Sequence, residues 1–200
     1  GLLEVVVVEP MSLPVIVNNN NFAKAPDGLP TLLSADDVRT LFHEFGHDLH
    51  GLLSQVTYER LSGTHVLRDF VELPSQLFEH WAFDPGVLER HARHADTGEP
   101  IPHELVLRVR SARRFNQGFE TVEYAACALL DMALHASEDP EGVDVAAFET
   151  AELARIGMPP EIVLRHRLPH FDHLFGGNGY AAGYYVYLWA EVLDADAWDA

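Results

Sequence analysis

Polar and apolar positions along this chain alternate mostly with helical spacing; the start reads differently. Val5 to Val8 and Leu13 to Val17 are β-branched runs separated by Pro10, which predicts two short strands. Asn18 to Asn21, then Pro26-Asp27-Gly28 and Pro30, predict loop, with the asparagines supplying turn chemistry. Ser34 predicts a helix start, since its hydroxyl can cap a backbone N–H and Asp36 and Asp37 sit near the positive dipole end. A second helix is expected from roughly Asp69 to Phe83, with Pro74 forcing a start or a kink inside it. Pro85-Gly86 and Thr97-Gly98-Glu99-Pro100 interrupt the pattern. Helical patterns resume over His103 to Ala136, Val145 to Ile156 and Pro160 to Arg167, before a glycine-rich loop from Gly176 to Gly183 and an aromatic stretch from Tyr184 to Trp189. The expected fold is mainly α, with a short N-terminal β element.

Residues 43–47 read His-Glu-Phe-Gly-His. On a helix, positions i and i+4 share a face, so two imidazoles can grip one ion while the intervening glutamate stands beside a water on it. Stepping at about 100° per residue, Val38, Leu41, Phe42, Phe45, Leu49, Leu52 and Leu53 fall on one broad face, and His43, His47 and His50 fall opposite, with Glu44 on the flank. That placement separates the histidines from the apolar stripe and leaves a solvated polar face as the alternative to a metal site. A catalytic zinc needs a third protein ligand and an open position. His50 and Glu72 are the candidates. A single straight helix does not easily place three ligands tetrahedrally, so Glu72 on the next helix is preferred, giving His43, His47 and Glu72 around one zinc per chain, with His50 nearby but not ligating. On that second helix Phe70, Leu73, Leu77 and Trp81 form an apolar face, while Glu72, Ser75, Gln76 and Glu79 look the other way. Glu79 is either a solvated carboxylate or a partner that orients a ligand.

Composition narrows the setting. The chain has 200 residues, 48% hydrophobic, enough for a core. The formal charge of -18, from 13 Lys+Arg against 31 Asp+Glu, opposes binding to nucleic acid or anionic membrane. No stretch is apolar enough to span a bilayer, and no secretory signal is read at the start. Cys127 is the lone cysteine, set in an apolar run. It is expected in the core, and its solitude points to a reducing, cytoplasmic setting.

Several ordered segments carry a resemblance: Asn20-Asn21-Phe22, Leu41-Phe42-His43-Glu44-Phe45-Gly46-His47, Arg68-Asp69-Phe70-Val71-Glu72-Leu73-Pro74-Ser75-Gln76, Phe115-Asn116-Gln117-Gly118-Phe119, His173-Leu174-Phe175-Gly176-Gly177 and Tyr180-Ala181-Ala182-Gly183-Tyr184-Tyr185. From about Val15 to Leu193 the chain resembles the M3 family of zinc oligopeptidases, closest in wording to the bacterial peptidyl-dipeptidase branch. The resemblance implies a zincin-type helical catalytic region in which His43, His47 and Glu72 bind zinc and Glu44 is the base. His173 and Tyr187 would act on the tetrahedral intermediate. Tyr180 and Tyr184 would bind substrate, with Gly177 and Gly179 in a mobile loop. It implies short peptides as substrates, cut internally or shortened by C-terminal dipeptides. Family members are much longer, so residues 1–200 are expected to be a catalytic region truncated at both ends, with the absent N-terminal region as a possible partner. The alternative function is a zinc-binding fragment, catalytically incompetent without the rest of the channel. One departure from the family pattern is Asp48, where a small residue is usual; its angle on the helix predicts a sideways, harmless position.

Overall fold

A computed structural model describes residues 4–6, 14–139, 142–177 and 179–200. Two strands, β1 (Glu4–Val6) and β2 (Val15–Val17), pair antiparallel with Val5 opposite Ile16. The remaining positions of the expected strands, Val7, Val8 and Leu13, lie outside the described residues, while Pro14 precedes β2. Nine helices follow among the described residues: α1 (Ala35–Leu52), α2 (Arg68–Val71), α3 (Leu73–Ala82), α4 (Pro85–His91), α5 (His103–Ala112), α6 (Gln117–His135), α7 (Val145–Arg155), α8 (Asp172–Phe175) and α9 (Val186–Asp199). The mainly α expectation with a short β element holds. The chain divides into two compact units, one made of the residues up to Ala112 with Ala190–Ala200, the other of Arg113–Trp189.

In the first unit α1 starts where the sequence places it. The Ser34 hydroxyl accepts from the Asp37 N–H at 3.1 Å and the Ser34 N–H donates to the Asp37 carboxylate at 2.9 Å, a reciprocal cap that satisfies two otherwise orphan donors. The expected helix over Asp69–Phe83 is broken at Glu72, between α2 and α3. Pro74 has no N–H to give and is tolerated only in a helix's first turn, so a new helix begins at Leu73. α1 packs chiefly on α3. The side of α1 that turns inward differs from expectation. Gly46, His47 and Asp48 are buried, whereas Leu41, Phe45, Leu52 and Leu53 are exposed. α3 shows the same reversal: Ser75 is buried and Trp81 exposed. Gly46 explains it. A Cβ there would stand 2.6 Å from the Ser75 Cα and 2.7 Å from the Pro74 carbonyl oxygen, so glycine lets the two backbones touch, while the Phe42 and Phe45 rings meet Phe78 of α3 beside that contact. Asp48 is buried and accepts a hydrogen bond from the Asn18 amide at 3.0 Å, tying the loop after β2 to α1. On the far side of α3, His80 Nε2 meets Asp194 of α9 at 2.9 Å and its ring stacks on Trp198, with centroids 4.8 Å apart.

In the second unit the core gathers Ala126, Cys127 and Leu130 of α6 with Leu164, Leu168, Phe171, Leu174 and Tyr184. Each large apolar side chain fully buried there contributes roughly 1.5–3 kcal/mol. Cys127 is in this core, as expected, and burial pushes its thiol upward in pKa. The helical patterns over His103–Ala136 form two helices, α5 and α6, with Asn116 in a left-handed conformation (φ 58°) just before α6. The helix expected over Pro160–Arg167 does not form: the segment is turn and extended chain. Its shape comes from tertiary anchoring instead. Buried Glu149 of α7 accepts from Arg167 Nε at 2.7 Å and from the Leu168 N–H at 3.3 Å.

Candidate metal centre

His43 and His47 lie one turn apart on α1, with ring centroids 4.9 Å apart and planes at 88°. Glu72 occupies the break between α2 and α3, only 2% exposed. Ser75, one turn into α3, fixes it by donating its hydroxyl to the Glu72 carbonyl oxygen at 2.9 Å and to Oε2 at 3.1 Å. The same Oε2 stands 3.4 Å from His43 Nε2 and 3.3 Å from His47 Nε2. Among the described residues this is the one group of three or more His, Cys, Asp or Glu side chains whose donor atoms all lie within 4.8 Å of one another.

These separations discriminate between uses of the cluster. A tetrahedral zinc with bonds of about 2.0–2.1 Å has ligand–ligand edges of about 3.3 Å, which matches both Nε2–Oε2 distances. They are longer than an ordinary hydrogen bond. His43 Nδ1 lies 2.7 Å from Glu79 Oε1. If Nδ1 carries the neutral ring's proton, as that contact requires, the Nε2 lone pair faces the Glu72 carboxylate. Two acceptors face each other there, an arrangement that calls for a cation between them or an extra proton. The metal-free chemistry agrees. Burial lowers the His43 pKa, but hydrogen bonds and charge from Glu72 and Glu79 outweigh it and raise the group to about 9. The residues present therefore fit zinc, and Glu79 is the partner that orients His43, the second of the two roles its sequence position left open. Arg39 lies 3.9 Å from the outer Glu79 oxygen.

Glu44 sits half-buried on α1 next to His43. His50 is outside the ligand group; its ring lies edge-on to Phe70 at 6.1 Å, and burial followed by the proximity of His47 lowers its pKa. The structure brings Glu72, and not His50, within reach of both His43 and His47.

The late-sequence residues form a second cluster, inside the second unit. Tyr180 and Tyr187 stack with centroids 5.7 Å apart and planes at 8°, and the His173 ring lies 5.8 Å from Tyr180 and 6.0 Å from Tyr187. His173 is exposed and the two tyrosines half-exposed. Tyr184 differs. It is 3% exposed, its phenol is raised to about 12 chiefly by burial, and its carbonyl accepts a hydrogen bond from the Tyr124 hydroxyl. It is a core residue beneath the exposed members, not a surface available to a ligand. His166 joins the cluster: it stacks on Phe171 at 4.9 Å and stands 5.6 Å from His173, and burial, then His173, lower its pKa. Gly177 is exposed and a Cβ on it would meet nothing within 4 Å, so no close contact demands glycine there. Gly179 is half-exposed, and Asn178 between them lies outside the described residues.

The sequence profile of peptidase family M3 matches residues 6–200. The chain belongs to peptidase family M3. Its M3 relatives include a dipeptidyl carboxypeptidase of Salmonella typhimurium, 51% identical over 187 residues, which cover 92% of this chain and 27% of the relative. An oligopeptidase A of Escherichia coli is 40% identical over 186 residues, 92% of this chain and 27% of that protein. A mitochondrial intermediate peptidase of Arabidopsis thaliana is 40% identical over 189 residues, 94% of this chain and 26% of that protein. The chain thus spans about a quarter of the length of these M3 proteins. No helix among the described residues is long and apolar enough to cross a membrane.

Proposed function

We propose that this chain is the zinc-binding catalytic segment of a peptidase that hydrolyses short oligopeptides. The observation that carries the reading is the single carboxylate oxygen of Glu72, set at 3.4 and 3.3 Å from the two imidazole nitrogens of the His-Glu-x-x-His helix. His43, His47 and Glu72 would hold the zinc, which when bound supplies Lewis acidity toward a peptide carbonyl and lowers the pKa of a water. Glu79 fixes the tautomer of His43 by accepting from Nδ1, which keeps Nε2 free to ligate. Glu44 is the general base: it takes a proton from the attacking water and returns it to the leaving amine. His173 and Tyr187 are assigned to the developing oxyanion as hydrogen-bond donors, and Tyr180 to substrate contact. Gly177 and Gly179 are assigned to substrate contact as well. The family resemblance supports these assignments, as does the exposure of His173 beside the half-exposed Tyr180 and Tyr187. The burial of Tyr184 leaves it a supporting part beneath them.

Release of C-terminal dipeptides is favoured over internal cleavage, because the Salmonella dipeptidyl carboxypeptidase is 51% identical to this chain and the oligopeptidase A 40%. A reducing, cytoplasmic location fits the single buried cysteine. The 27% coverage of the relatives favours a second reading, a zinc-binding segment inert without further chain. One assay separates the two. The purified protein is loaded with zinc and given a fluorogenic short peptide, alongside Glu44→Gln. The first reading expects turnover abolished by a chelator, and a Glu44→Gln protein that keeps its zinc but loses hydrolysis by a factor of about 100 or more. Zinc binding without turnover supports the second reading. Turnover retained by zinc-loaded Glu44→Gln removes Glu44 as the base.

A further inference from the structure

Residues 165–187 of the second unit carry His173, Tyr180 and Tyr187, yet little regular structure holds them: one 3-10 turn (Leu168–His170), the four-residue α8 and the first residues of α9. Glu149 anchors the front of this segment, as described above. The back is anchored by Asp131 of α6, which has no exposed surface. Its Oδ1 accepts from the Ala182 N–H at 2.9 Å and its Oδ2 from the Tyr184 N–H at 2.9 Å, and His135 Nδ1 lies 2.8 Å from Oδ1. A buried carboxylate is expensive unless several donors satisfy it. Here two of the donors belong to loop backbone, so the group's structural effect falls on the loop.

That effect can be located. Ala182 has a φ of 55°, a left-handed conformation that is unfavourable for a residue with a Cβ. The hydrogen bond from its own N–H to Asp131 holds it there. This turn separates Tyr180 from Tyr184 and Tyr187, so the parallel stack of Tyr180 on Tyr187 spans it and depends on its shape.

We propose that Asp131 is a positioning residue for peptide binding: through the backbone of Ala182 and Tyr184 it holds Tyr180 against Tyr187, beside His173, in the arrangement that receives substrate. The proposal rests on the substrate role assigned to that cluster above.

The test is Asp131→Asn, which keeps the shape and one acceptor but sets an amide NH2 against a backbone N–H. Residue-resolved hydrogen exchange should show Ala182 and Tyr184 exchanging about tenfold faster or more, the equivalent of one lost charge-assisted hydrogen bond. Zinc content should be unchanged. For a fluorogenic short peptide KM should rise about tenfold, with kcat changed by less than about threefold. If Asp131→Asn does not fold, His135→Ala removes a donor and leaves the carboxylate, and the same changes are expected in weaker form. Faster exchange at both amides with an unchanged KM overturns the proposal and leaves the peptidase reading standing; so does unchanged exchange. If the zinc-loaded wild type turns over nothing, the peptidase reading falls, and positioning is then read from the equilibrium binding of the same peptide. A tenfold weaker Kd in the variant sustains it; equal affinity, or no binding by the wild type, overturns it.

Discussion

Replacing Gly46 by alanine adds one methyl group at the point where α1 and α3 touch, and the structure says how far that methyl pushes. The new Cβ would stand 2.6 Å from the Ser75 Cα, 2.7 Å from the Pro74 carbonyl oxygen and 3.0 Å from the Phe78 Cβ. Two of these neighbours are backbone and cannot rotate away. Non-bonded carbons rest about 3.5 Å apart, so the helices must part by roughly 0.9 Å. Overpacking of this kind costs about 1–3 kcal/mol, and alanine's better helix propensity returns about 1 kcal/mol. A net loss of up to about 2 kcal/mol of stability is expected, small enough for the variant to fold. The larger consequence is at the metal site. Ser75 grips Glu72 through two hydrogen bonds, so Glu72 moves with it, away from His43 and His47. Metal sites tolerate ligand displacements of about 0.2 Å, several times less than this shift. Zinc affinity, measured by competition with a chromophoric chelator, should fall by about tenfold or more, alongside a lowered urea midpoint for the metal-free protein. A Gly46→Ala protein with wild-type zinc affinity would refute the claim that this close approach sets the ligand spacing.

Two further outcomes follow from the same geometry. Glu79→Gln keeps the side chain's shape but weakens the hold on His43 Nδ1, and zinc affinity should drop by about 10–100-fold in the same competition assay; an unchanged affinity would mean that Glu79 is not what orients His43. Tyr184 holds its proton to about pH 12 when folded, against about 10 for an ordinary phenol. The raised value means that its contribution is whole below pH 10 and is lost as pH rises toward 12, by about 2 kcal/mol. Denaturation of wild type and Tyr184→Phe across that range should show the wild type losing stability relative to the variant, and parallel curves would place the phenol in contact with water.

What the sequence reveals of this molecule is what short-range rules encode. The Ser34 cap, the break forced by Pro74 and the pairing of His43 with His47 all depend on residues within one turn of each other, and each is where local chemistry predicts. Glu72 is legible too, as the carboxylate in a second helical segment that a third ligand requires. The orientation of α1 is not. Apolar periodicity places Phe45 inward and His47 outward, and the structure has Phe45 exposed and His47 buried. A periodic pattern identifies an amphipathic helix but assumes that the apolar side is the packed one; here a glycine contact brings α1 and α3 together with His47 and Ser75 buried, while Phe45 meets Phe78 yet stays largely exposed. The expected helix over Pro160–Arg167 does not form, and where it would end Glu149 holds the Arg167 side chain and the Leu168 N–H from 18 and 19 residues away. Asp131 left one trace, an acid within the apolar stretch of α6. The two backbone N–H groups it holds lie 51 and 53 residues away, beyond the reach of any local pattern.

Zinc stoichiometry across three proteins tests the central claim most directly. Wild type, Glu72→Ala and His50→Ala are purified, exposed to zinc, passed through a desalting column and analysed by elemental mass spectrometry. The account predicts about one zinc per chain in wild type and in His50→Ala, and loss of most of it in Glu72→Ala. Full zinc retention by Glu72→Ala, or loss confined to His50→Ala, would contradict it.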